Sequence, residues 1–325
     1  MKNFRTLFCI MLLSVSCTLF FSCTNDEGLL ITNNGGTTNN NNGNNVGQQV
    51  GSQSSITLYQ VTNGNISKIR DYRVTGENLN YQRDIAKHDE IWDLVTKIAP
   101  LDQLEKVSEF MIYNGRVAGS SGFVIKKSAD LSKWQLGIAI DKAYEGGFNS
   151  GGELAYTILH EYGHILTLNH TQLDAAISER SCTTYYPDLG CSYEHSYINE
   201  MYDLYWKDIE NEHRAAQNSH SEQMAFYVRH TDRFVTNFAS TNPVEDIAEV
   251  FSVFVTASNK PTGSSIADRK ILLMYDSTEL VNFRNHTRQN VSLKGSSLSD
   301  FELPAPGSWR RANTFGNPVL STCGH

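Results

Sequence analysis

Basic clusters, paired CxxC cysteines, internal repeats and late apolar runs are all missing from this 325-residue chain. Lys and Arg number 27 against 35 Asp plus Glu, a formal net charge of −8. With no cationic run to follow a phosphate backbone, nucleic acid is not an expected partner. No stretch after Phe21 approaches the ~20 consecutive apolar residues that a membrane-spanning helix requires. Nothing recurs at the period of a solenoid or propeller. Three of the six cysteines, Cys9, Cys17 and Cys23, fall in the first 23 residues, and Cys182, Cys191 and Cys323 lack the paired spacing of a structural zinc site.

What is present begins with a leader. Lys2 and Arg5 precede an apolar run over residues 7–21, the layout of a secretory signal over residues 1–22. Phe20-Phe21-Ser22-Cys23 resembles a bacterial lipobox, which makes Cys23 the expected lipidated residue. Cys23 is preferred to Cys17 because polar Thr24-Asn25-Asp26-Glu27 follow it directly. Those acidic residues resemble the export tag of surface lipoproteins in Bacteroidetes-type bacteria. The expectation is an exported lipoprotein of the outer membrane, facing the cell surface and attached through its lipid alone. Removing the leader takes Lys2 and Arg5 with it and moves the formal charge from −8 to −10. Residues 23–55 are mostly Asn, Gly, Thr, Gln and Ser, too poor in apolar surface to offset ordering entropy, and read as a flexible tether. An oxidising compartment permits a disulfide, and Cys182 with Cys191 would close the short loop SCTTYYPDLGC, leaving Cys323 over.

The folded domain is expected over residues 56–325, with no clear pattern after about 292. ITLYQV reads as a strand, and the periodicity from Tyr81 to Ile98 predicts an amphipathic helix stopped by Pro100. LDQLEKVSEFMIY reads as a second helix; GRVAGSSGFVIKK and KWQLGIAID read as paired strands. A helix follows the Gly-rich loop YEGGFNSGG, with Ser150 as cap and Glu153 completing a capping box. Beyond Cys191 helices dominate. Strands early and helices late predict an α+β domain: a small mixed sheet, a central helix and a mainly helical C-terminal lobe.

The central helix carries TILHEYGHILTLNH at residues 157–170. Residues four apart on a helix share a face, so His160 and His164 can grip one metal ion while Glu161 takes a proton from water beside it. HExxH leaves the third ligand unnamed. His170 stands where a metzincin would place it, but Thr167 replaces the glycine that turns the chain back, and no Met-turn is evident. On a continuing helix His170 would lie about 15 Å from His160 along the axis. The better candidate is Glu245 in TNPVEDIAEVFSVFV, where Asn242 caps a helix, Pro243 is its first residue, and Glu249 lies one turn beyond Glu245. A carboxylate completes His₂Glu sites, and Glu249 could accept a hydrogen bond from a liganding imidazole. The plainer alternative has Glu245 closing a capping box with Asn242 and Glu249 as a solvated charge.

Glu245-Asp246-Ile247-Ala248-Glu249 resembles the second motif of gluzincins, the thermolysin-like and lethal-factor-like zinc peptidases. HEYGHILTLNH, SYINEMYDLYW and FVTNFASTNPVEDIAEVF together resemble a group of bacterial zinc metallopeptidases, many of them exported lipoproteins. The resemblance, over roughly residues 80–285, implies a zincin-like fold, one catalytic Zn²⁺ on His160, His164 and Glu245, Glu161 as base, and a protein or peptide substrate. One departure stands out. The tyrosine that helps stabilise the oxyanion in lethal-factor-like relatives is Phe238 here, so Tyr227 or His230 becomes the candidate donor. A cell-surface binding lipoprotein with an inactive or structural zinc site, and a zinc amidase acting on a non-protein substrate, remain alternatives.

Overall fold

The computed structural model describes residues 54–293 apart from Asn149. The leader, Cys23, the Asn-rich tether, Cys323 and the rest of the segment after 293 lie outside the described residues.

Strands β1 (Ser55–Thr62) and β2 (Asn65–Asp71) form an antiparallel hairpin, Thr62 pairing with Asn65. Its two-residue turn, Asn63-Gly64, has φ of 50° and 75°, the paired positive values that suit the right-handed twist of a hairpin. Where one helix is expected over Tyr81–Ile98, the chain forms α1 (Glu77–Arg83) and α2 (Ile85–Ile98), interrupted at Asp84 with ψ 70°. The apolar side of α2, Ile91, Trp92, Leu94, Val95 and Ile98, is buried.

The helix expected over LDQLEKVSEFMIY is corrected. Only α3 (Leu101–Leu104) is helical, and β3 (Val107–Tyr113) follows. β3 lies in the sheet with β1 on one side and β5 on the other, and this pairing overrides the local helical pattern. GRVAGSSGFVIKK likewise splits into a single helical turn, α4 (Gly115–Ala118), and strand β4 (Gly122–Lys126). β5 (Trp134–Ala139) runs straight into the short α5 (Ile140–Ala143).

The five strands are ordered β2-β1-β3-β5-β4, with β3 and β5 parallel and the other pairs antiparallel. One face contributes Phe110, Ile112, Val124, Leu136 and Ile138 to the main core, together with α2 and the central helix α6 (Glu153–Leu168). The opposite face carries Leu58, Met111, Tyr113, Phe123 and Ala139.

Beyond α6 come a small sheet of β6 (Leu173–Asp174) and β7 (Cys191–Ser192), then α7 (Tyr197–Tyr205), α8 (Glu210–Ala216) and α9 (His220–Arg229). Helices α10 (Pro243–Thr256), α11 (Ile266–Met274) and α12 (Thr278–Asn290) complete the described chain. The architecture is α+β, with a five-stranded mixed sheet early and helices late. Cys182 and Cys191 form a disulfide, which ties the loop after β6 to β7.

Candidate metal centre

Helix α6 is buried from Leu154 to Leu168 and carries the HExxH residues through the core. Its start differs from the capping box expected at Ser150 and Glu153. Gly152 is the N-cap, no side chain caps the helix, and exposed Ser150 is separated from it by two glycines. Its end is clear: the Asn169 side-chain amide donates to the carbonyls of Ile165 and Leu166 at 2.8 and 3.0 Å, satisfying groups a continuing helix would have used. His170 follows this stop and is exposed.

Helix α10 is fixed at both ends. The Asn242 side chain accepts from the backbone N–H groups of Val244 and Glu245, both at 2.9 Å. At the far end Arg284 and Arg288 of α12 donate to the carbonyls of Phe254, Val255, Thr256 and Ala257. The two helices meet where Gly163 faces Ala248. A Cβ on Gly163 would lie 2.8 Å from the Ala248 Cα, so only a glycine permits this approach. Glu245 and Glu249 flank Ala248, and the contact carries both toward the histidines.

Three donors converge there. The Nε2 atoms of His160 and His164 are 3.1 Å apart, and Glu245 Oε2 lies 3.2 Å from the first and 3.4 Å from the second. Among the described residues these three form the one group of His, Cys, Asp and Glu able to hold a metal ion. Zinc bonds of ~2.0–2.1 Å at tetrahedral angles set neighbouring donors about 3.3 Å apart, so two imidazoles and a carboxylate at these separations fit a His₂Glu zinc site. The plainer role for Glu245 does not describe its side chain, which turns to the histidines while Asn242 alone caps the helix.

Glu249, 2% exposed, is not a solvated charge. Its Oε1 lies 2.7 Å from His160 Nδ1, while Oε2 accepts from Tyr156 Oη at 2.9 Å and Thr236 Oγ1 at 2.6 Å. With Nδ1 held by this carboxylate, Nε2 is the ring nitrogen turned toward His164 and Glu245. Tyr156 precedes His160 by one turn on the same helix face, a legible signal; Thr236 has none.

Burial opposes charge on His160, but the carboxylates of Glu245 and Glu249 outweigh it and hold its pKa well above the ordinary imidazole value. On Glu245 burial is likewise outweighed, here by His164 and His160, and the pKa falls below the carboxylate range. Glu161, 3% exposed, is pushed up by burial against the opposing pull of His160 and His164. Its carboxylate rests against Gly122 of β4: a Cβ there would sit 2.8 Å from Glu161 Oε1. The edge of the sheet therefore touches the expected base.

From the sequence, the run Gln135–Ile140 within KWQLGIAID is a candidate for the strand bordering the site, a reading that the observed pairing corrects. β5 is hydrogen-bonded to β3 and to β4, which leaves β4 as the edge on that side.

The candidate donors Tyr227 and His230 are engaged elsewhere. His230 Nε2 pairs with Glu212 at 2.8 Å, and Tyr227 packs against the satellite core of Trp206, Ile209, Phe226 and Phe234. Phe238 does lie at the site, its ring centroid 5.7 Å from that of His160.

No family model and no curated protein matches the chain. Among solved structures it is similar to a candidate zinc-binding metallo-peptidase of Bacteroides caccae, with 16% identity and a TM-score of 0.29, over 66% of this chain and 78% of that one.

Proposed function

We propose that the protein is a zinc-dependent peptidase of the gluzincin kind, with a zincin-like fold, His160, His164 and Glu245 as ligands and Glu161 as general base. The observation that carries this reading is the triangle of donors, 3.1, 3.2 and 3.4 Å on its sides, with a buried carboxylate one residue from the first histidine. Zinc bound there would polarise a substrate carbonyl and acidify a coordinated water. Glu161, buried beside the ligand His160, is placed to accept a proton from that water and return it to the departing amine. Glu249, Tyr156 and Thr236 hold His160 in one orientation. An extended peptide would pair with the outer edge of β4, whose Gly122 touches Glu161, so that its scissile bond passes the base.

Glu161→Gln provides the test. Zinc should stay bound at one equivalent while cleavage of a mixed protein substrate falls by about 10²-fold or more. Equal cleavage by the variant would remove Glu161 from the reaction. A second reading, a binding protein with a zinc site that performs no hydrolysis, is favoured by Phe238, which offers no hydrogen-bond donor beside His160. It predicts zinc binding and no cleavage in the wild type as well. Export and anchoring through Cys23 belong to the same proposal; loss of metabolic fatty-acid labelling in Cys23→Ala is the expected result.

A further inference from the structure

Directly after the ligand Glu245 comes Asp246, which is 0% exposed, and its partner Lys270 on α11 is 0% exposed as well. Lys270 Nζ lies 2.5 Å from Asp246 Oδ2, the same oxygen accepts from Trp206 Nε1 at 2.6 Å, and Oδ1 has no hydrogen-bond partner. The ammonium also stands over the rings of Phe234, at 4.5 Å, and Trp206, at 5.7 Å. Nothing in the proposed chemistry uses this pair. Stability accounts poorly for it too, because two charges removed from water, one oxygen unsatisfied, generally hold a fold no better than apolar side chains of similar volume.

Geometry suggests a use. Successive helical residues point about 100° apart, so while Glu245 reaches the two histidines Asp246 reaches sideways to α11 and to Trp206, which follows α7. The first turn of a helix is where backbone hydrogen bonding is thinnest and fraying starts. Anchoring Asp246 in a direction set by two charge-assisted hydrogen bonds fixes the rotation of that turn, and thereby the direction of Glu245.

We propose that the buried Asp246–Lys270–Trp206 cluster is a positioning device for the metal ligand Glu245, an inference that rests on the zinc reading of the site above. The apolar double replacement Asp246→Leu with Lys270→Met tests it, because it can keep the packing while removing the directional anchor. The expected result has three parts. The zinc-free variant unfolds at a midpoint at or above that of the wild type. Its zinc affinity by chelator competition drops about tenfold. The visible spectrum of its cobalt-loaded form changes as the carboxylate leaves its place. Trp206→Phe, which deletes one donor to Asp246 and keeps a ring, should shift affinity and spectrum in the same direction by less, and it decides the matter if the double variant does not fold. Wild-type zinc affinity and an unchanged cobalt spectrum in the folded variants would overturn the inference and leave the pair a structural tie. If the wild type itself binds no zinc, the reading of the site has failed and the inference falls with it.

Discussion

The residue with the most to say about the site is Glu249, because its two oxygens are shared among three donors. Removing one donor frees part of its orientation; removing the carboxylate frees His160. Thr236→Ala is therefore expected to weaken zinc binding by about tenfold and Glu249→Ala by up to about 100-fold, measured by chelator competition. Thr236 also accepts from Ala239 N–H at 3.0 Å, linking Glu249 to the turn that carries Phe238 and ends at the Asn242 cap. A Thr236→Ala variant with wild-type affinity would show that Tyr156 alone holds the carboxylate. Glu249 was legible as the acid one turn beyond Glu245. The role of Thr236 was not, since a lone threonine in an irregular segment carries no periodicity.

At the scale of elements, the decisive contact is α6 against α10. Ala at position 163 would gain helix propensity worth about 1 kcal/mol, but its methyl group would meet the Ala248 backbone, an overpacking cost of about 1–3 kcal/mol. Gly163→Ala is expected to lower unfolding free energy in urea and to weaken zinc binding together, because the helices must separate where Glu245 is delivered. A variant of unchanged stability and affinity would show that the interface yields freely.

A second element-level expectation concerns α2. His88 is 0% exposed, with Nδ1 2.6 Å from Tyr59 Oη and Nε2 2.9 Å from the Tyr81 carbonyl, an arrangement that suits the neutral ring. Burial lowers its pKa. Because the folded value lies below the unfolded one, its contribution is complete above about pH 6.5 and is lost as pH falls from there toward the folded pKa. Its share of the decline is at most ~1.4 kcal/mol per pH unit. Urea unfolding at pH 7.5 and 5.5 should show a smaller acid-induced loss for His88→Gln than for the wild type, and equal losses would place the titration elsewhere.

Across the whole molecule, the site joins parts of the chain that share no local structure: His160 and Glu249 are 89 residues apart, and Lys270 is 24 from Asp246. A zinc ion held between α6 and α10, as proposed, would act as a cross-link present only in the folded state. At a free concentration ~100-fold above its Kd, it should raise the thermal midpoint by roughly 5–10 °C, reversed by chelator and absent in His160→Ala. A midpoint indifferent to chelator in the wild type would mean that no ion is held. Features that depend on nearby residues and on the order of local patterns are legible in the chain alone: His160, Glu161 and His164 on one helix, the Asn242 cap, the start of β1, the Cys182–Cys191 loop and the α+β order. The Asn63-Gly64 hairpin was open to the same reasoning. Long-range packing settles the rest: Val107–Tyr113 is an inner strand, β4 rather than β5 is the sheet edge beside Glu161, and Gly163 admits Ala248. Each of these turns on which surfaces remain to be paired once distant segments have packed, a quantity no local periodicity carries.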